Sequence, residues 1–217
     1  MSDFDPARAS LSSEVGHGNP EAYVSEETTH YSVADKEGNM VATTTTLNGT
    51  FGNCIVVKGA GFLLNNQMDD FSSKPGFPNM YGLVGGEANS IKPGKRMLSS
   101  MTPVIIEKDN KPYMVVGSPG GSTIPTSVLQ VISNVVDFNM PMQEAVNAAR
   151  FHHQWLPDLV AFERTQTDSI PVRDLEAMGY ILKKRNAIGR VNAIRITADG
   201  FMEAGADPRG DNTATGY

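Results

Sequence analysis

The tightest constraint on the fold is a short run of alternation. Residues 30–35 (His-Tyr-Ser-Val-Ala-Asp) and residues 40–47, rich in Thr and Val, flank Lys36-Glu37-Gly38-Asn39. β-Branched and aromatic residues on both sides of a Gly-Asn turn specify strand, tight turn and strand. Residues 102–107 and 113–117 repeat the pattern around Asp109-Asn110, and residues 192–197 and 201–204 repeat it around Asp199-Gly200. Antiparallel sheet is therefore the predicted scaffold. Between these hairpins Ile124, Val128, Val131, Ile132, Val135 and Val136 fall on one helical stripe, with Ser122 or Thr123 placed to cap its start. Shorter helices are predicted over 142–149 and 170–178, the second closed by Gly179. Hairpins, then helices, then a last hairpin predict an α+β fold with antiparallel layers in place of a parallel βαβ repeat.

Composition narrows the function. The 217 residues carry a net charge of −6, which leaves no basic surplus for phosphates, so nucleic acid is excluded as a partner. No apolar run approaches the ~20 residues of a membrane span, and the opening residues 1–5 do not form a signal peptide. One cysteine, Cys54, rules out an intrachain disulfide framework and is expected half-buried on a strand. His152 and His153 are adjacent, His30 lies in a strand and His17 in the first 27 residues; these spacings match no metal motif, so no metal or cofactor is expected. Residues 1–27 hold Pro, Gly, Ser and Glu without a periodic apolar face and read as an irregular tail.

Three regions carry groups fit for chemistry. Thr28 and Thr29 stand where the tail meets the first strand. A threonine hydroxyl needs a base, and the α-amine of an N-terminal residue, with a pKa of about 7.7 to 8.0, is suited to that role at neutral pH. While Glu27 is attached, the Thr28 nitrogen is an amide without a basic lone pair. Gly117-Ser118-Pro119-Gly120-Gly121-Ser122 joins a predicted strand to the apolar helix, where glycine amides near a positive helix end suit an oxyanion; the loop lacks a P-loop lysine. Asn65-Asn66-Gln67-Met68-Asp69-Asp70 offers acceptors for an amine, and Ser99-Ser100 offers donors for a carboxylate. Between them residues 65–97 exceed the ~12 to 15 residues of a passive connection.

The run Thr28-Thr29-His30-Tyr31-Ser32-Val33-Ala34-Asp35 resembles the start of the small subunit of γ-glutamyltransferases, members of the N-terminal-nucleophile hydrolase superfamily. Residues 61–71, residues 75–86, Lys95-Arg96 with Leu98-Ser99-Ser100-Met101, residues 117–122, and Arg150-Phe151-His152-His153-Gln154-Trp155-Leu156-Pro157-Asp158 resemble the family in its order. The resemblance implies residues 1–27 as the end of a large subunit and 28–217 as the small catalytic subunit. It implies self-cleavage between Glu27 and Thr28, followed by γ-glutamyl transfer from glutathione to amino acids, peptides or water. Thr28 is then the nucleophile, Thr46 its orienting partner, and Gly120 with Gly121 the oxyanion hole. Asn48, Gln67 and Asp70 match residues holding the substrate α-amino group, Ser99 and Ser100 those holding its α-carboxylate, and Tyr81 the lid tyrosine.

The implied fold is part of a four-layer αββα sandwich, completed by a large subunit of which this chain has at most 27 residues. Periplasmic or secreted placement is implied in the same way. Met97 and Ala149 stand where the family usually has proline. Two alternatives remain at this point: a related acylase accepting a glutaryl group, and a fragment inert without the missing subunit.

Overall fold

The computed structural model describes residues 28–164 and 171–216. The predicted tail 1–27, with Glu27 and His17, lies outside the described residues, as does Ile170. The first hairpin pairs β1 (Thr28–Ala34) with β2 (Met40–Thr46) in unbroken antiparallel register from Thr28↔Thr46 to Ala34↔Met40. Asp35 closes its turn by accepting from the Asn39 amide and side chain at 2.8 and 2.7 Å.

A four-stranded antiparallel sheet follows, ordered β3 (Val104–Lys108), β4 (Lys111–Gly117), β8 (Asn192–Ile196), β9 (Met202–Ala206). Asp109 and Asn110 make the tight β3–β4 turn at φ of 54° and 58°, values that Asn and Asp tolerate well. Both later hairpins fall where the turn residues place them, with one bulge at Ile106/Glu107.

One face of this sheet is covered by α1 (Ile124–Val136) and α2 (Met142–Asn147). Met114 and Val116 of β4 and Ala193 of β8 meet Ile124, Val128, Val131 and Val135 of α1, and Met142, Ala145 and Val146 of α2, in the main core. Each Val, Ile or Met side chain among them contributes roughly 1.5–3 kcal/mol when taken out of water. The other face receives the β1–β2 hairpin, which lies against β4 and β8. Ser32 Oγ donates to Asn192 O at 3.1 Å, and Asn192 Nδ2 donates back to His30 O at 3.2 Å. Helices, sheet and hairpin thus stack as three layers, an α+β architecture.

The structure corrects several expectations. Val136 is 53% exposed, because it sits one residue, or about 100°, round the helix from buried Val135. No side chain caps α1: a 3-10 turn over Gly121–Thr123 leads into it, and the Thr123 hydroxyl donates back to Gly120 O at 2.8 Å. The helix expected over 142–149 stops at Asn147, where Ala148 turns extended. Cys54 is exposed in a loop at φ 63°, away from any strand.

The predicted antiparallel layering has one local exception. A three-stranded sheet joins β5 (Phe151–His152), β6 (Val160–Glu163) and β7 (Leu182–Arg185), and β6 runs parallel to β7 with α3 (Val172–Ala177) between them in the chain. The basic Lys183-Lys184-Arg185 cluster belongs to β7. No helix among the described residues is long and apolar enough to cross a membrane.

Candidate active site

Thr28 is the first residue of β1 and faces the sheet below it. Strand alternation turns Thr28, His30 and Ser32 inward and leaves Tyr31 and Val33 each 50% exposed on the outer face. The Thr28 hydroxyl donates to Thr46 Oγ1 at 3.0 Å, across the register pair that closes the hairpin. Thr46 Oγ1 also accepts the Asn48 amide at 2.9 Å, so an N–H dipole stands behind the oxygen that orients Thr28.

His30 is next along the buried face and is not the base. Ser32 Oγ gives its proton to Asn192 O and therefore accepts from His30 Nε2–H at 3.0 Å; His30 Nδ1 then accepts from the Thr44 hydroxyl at 2.8 Å. Both ring nitrogens are committed, and burial pushes the pKa down from 6.5 to about 4, holding the ring neutral. Its close neighbour is Gly117: a Cβ there would stand 2.2 Å from His30 Cε1, so only glycine lets β4 pass beneath the ring. With no titratable side chain on Thr28 Oγ1 among its described partners, the hydroxyl can act only if its proton goes elsewhere.

Gly120 and Gly121 are buried between β4 and α1, at φ of 146° and 53°. Behind them a buried charge cluster supports the loop. Arg150 pairs with Asp207 at 2.7 Å, and Arg209 pairs with both Glu163 and Asp207. Arg150 also donates to Ile188 O at 2.9 Å, and Glu163 accepts the Ile188 amide at 3.0 Å. This pins the segment whose Arg190 amide donates to Ser118 Oγ at 2.9 Å, one residue short of the glycine pair.

Tyr81 joins the two sides. Its hydroxyl donates to Asn48 O at 2.6 Å, and its ring lies over Gly121, where an added Cβ would come within 2.9 Å of Cε1. One continuous path of contacts therefore runs Thr28, Thr46, Asn48, Tyr81, Gly121. Asn48, buried at φ 73°, also donates through Nδ2 to Asn66 O at 3.3 Å, and Asn66 Oδ1 accepts the Gly49 amide at 2.7 Å. That places the 3-10 turn Gln67–Asp70 beside Asn48.

No donor among the described residues reaches the Asp70 carboxylate, and its pKa is raised, first by burial and then by Asp69. A half-buried carboxylate with no local donor suits an incoming ammonium group. Ser99 and Ser100 are reached indirectly. Asn89 Nδ2 donates to Asp70 O at 2.7 Å while Asn89 Oδ1 accepts the Leu98 amide at 3.0 Å, so one amide side chain spaces the acidic turn from the serine pair. Ser99 Oγ makes a local turn with Met101. Asn66 and Asn89 were missed as positioning residues by the sequence reading, since nothing in their local pattern marks contacts made across the loop.

Comparison with known proteins places the chain in a family. A family described as Gamma-glutamyltranspeptidase matches residues 3–217. The glutathione hydrolase proenzyme of Escherichia coli K12 is 51% identical over 216 residues, 99% of this chain and 37% of the relative. The chain thus spans little more than a third of that relative's length. A crystal structure of the Helicobacter pylori gamma-glutamyltranspeptidase T380A mutant superposes with a TM-score of 0.79 at 54% identity, covering 84% of this chain and all of the matched one. Farther off, the acylase ACY 1 proenzyme of Pseudomonas sp. SE83 is 36% identical across 87% of this chain and 32% of its own. With a family match across nearly all its residues and a threonine pair heading its first hairpin, the chain belongs to the gamma-glutamyltranspeptidase family.

Proposed function

We propose that this chain is the catalytic portion of a γ-glutamyltransferase, acting on glutathione and other γ-glutamyl amides after cleavage between Glu27 and Thr28. The observation that carries this reading is the 3.0 Å Thr28–Thr46 hydroxyl pair, placed at the head of a strand with no titratable side chain on the nucleophile among its described partners. Cleavage would supply the missing base as the α-amine of Thr28 itself. Thr28 Oγ1 then attacks the γ-carbonyl carbon and its proton passes to that amine. The carbonyl oxygen gathers charge facing the Gly120 and Gly121 amides, where losing one donor costs about 10² to 10³ in turnover. The C–N bond breaks, the leaving amine takes the proton, and water or an acceptor amine repeats the attack on the ester.

Asp70, with Asn48 and Gln67, receives the substrate α-ammonium; Ser99 and Ser100 receive its α-carboxylate. Tyr81 covers the site. Residues 28–217 form the catalytic unit in this reading, and residues 1–27 end a preceding segment that supplies the rest of a four-layer αββα sandwich. The half-exposed outer face of the hairpin, with Tyr31, Val33 and Val41, is the surface that segment covers. Periplasmic or secreted placement follows from the same resemblance.

The test is release of a chromogenic amine from a γ-glutamyl anilide by the protein co-expressed with a large subunit. Cleavage and turnover should both vanish in Thr28→Ala. An assembled, cleaved heterodimer that releases no amine refutes the reading. The acylase likeness supports a second reading, a glutaryl substrate without an α-amine. Asp70→Ala separates the two: it should cripple γ-glutamyl turnover, whereas spared activity on a glutaryl amide with none on the γ-glutamyl amide favours the acylase.

A further inference from the structure

His152 ends β5 and Gln154 follows it, and their hydrogen bonds lead to the cover of the site. Gln154 Nε2 donates to Tyr81 O at 3.3 Å and to Leu156 O at 3.1 Å. With both amide protons so used, Gln154 Oε1 faces His152 Nε2 at 2.9 Å and requires a proton there. His152 Nδ1 is then the acceptor, so the Thr126 hydroxyl, 2.8 Å away, gives its one proton to the ring and not to Thr123 O at 3.0 Å. His152 is 5% exposed, and burial lowers its pKa, which keeps this one-directional neutral arrangement in place. Thr126 stands in the first turn of α1, the helix entered through Gly121–Thr123.

The contacts form a closed circuit: Gly121, α1, Thr126, His152, Gln154, Tyr81, and back to Gly121 beneath the tyrosine ring. Gly82 lies alongside the same segment, where a Cβ would be in ordinary contact with Gln154 Nε2 at 3.7 Å and Pro157 Cδ at 3.8 Å. We propose that His152 and Gln154 are positioning residues that latch the lid to the helix start carrying the glycine pair, holding Tyr81 over Gly121 and limiting the entry of water. The part of this that concerns water rests on the transferase reading; the latch itself does not.

Hydrogen–deuterium exchange on the full chain tests the latch without any activity. The Gly76, Asn79 and Gly82 amides bond to carbonyls within the lid, and in Gln154→Leu they should exchange about 3- to 10-fold faster, with β4 amides unchanged. Gln154→Glu keeps an acceptor for His152 but cannot donate to Tyr81 O, so it should free the lid as the leucine does. Wild-type exchange in either folded variant overturns the latch. In the assembled enzyme the same variants should raise the ratio of hydrolysis to transfer about 3-fold or more, the scale of one lost hydrogen bond. Accelerated lid exchange with an unchanged ratio would retain the latch and overturn its role in excluding water. An inactive wild type would count against the transferase reading alone.

Discussion

The two sides of the site are built by opposite means. The Thr28 side is a strand backed by a sheet: His30 is 4% exposed, its ring nitrogens are both bonded, and Gly117 passes beneath it with no room for a Cβ. The covering side, residues 65–100, has two 3-10 turns and isolated bridges in place of strands, and is stitched by Asn48, Asn66, Asn79 and Asn89 side chains reaching backbone groups. A seven-pair strand ladder seated on a buried sheet fixes the first, whereas single hydrogen bonds, each worth about 0.5–1.5 kcal/mol, hold the second. In the proposed reading, this arrangement holds the Thr28 oxygen still while the loop over it opens at low cost.

The largest test of that contrast is Arg150→Ala. Its partner Asp207 is 1% exposed, so removing the arginine leaves a buried carboxylate with Arg209 as its one charged partner among the described residues and should cost roughly 3–5 kcal/mol in denaturant unfolding. Exchange should quicken around 186–191 and 117–122 more than in the lid; equal acceleration in both would dissolve the distinction between the two sides. Acidification gives a slightly smaller effect. The His30 pKa falls from 6.5 to about 4, so between those values the unfolded chain binds a proton that the folded chain refuses. The resulting stability is complete above pH 6.5, declines as pH drops toward 4, and totals about 3 kcal/mol. His152, also lowered by burial, adds to the same slope, so a His30→Gln variant should lose only part of it in urea midpoints measured against pH. Smallest in stability is Gly121→Ala, which places a Cβ at φ 53° and 2.9 Å from the Tyr81 ring. The strain is about 1–2 kcal/mol. Its sharper reading is positional: Tyr81 must swing away, loosening the lid while Thr28 and Thr46 stay paired.

The same contrast explains what could be read from the chain alone. Hairpins were legible because alternation and turn chemistry are local: Asp109-Asn110 and Asp199-Gly200 announce their turns within a few residues. The buried stripe of α1 was legible for the same reason. The β5–β6–β7 sheet was not, since strands of two and four residues carry little periodicity and the parallel β6–β7 pair is joined across the chain. Cys54 escaped because a strand was expected where the backbone turns at positive φ. Among site residues, Thr28, Thr46, Asn48, Tyr81 and Gly121 do form one run of contacts, while Asn66 and Asn89 act through partners 9 to 19 residues away that no short pattern encodes.

The register of the first hairpin has a consequence for how such a protein can be severed. All seven rungs, from Thr28↔Thr46 to Ala34↔Met40, lie on the downstream side of the Glu27–Thr28 link. Scission at that link would leave every one of them intact, so the newborn chain end would start life already moored, and the alcohol beside it would need no journey to reach its post.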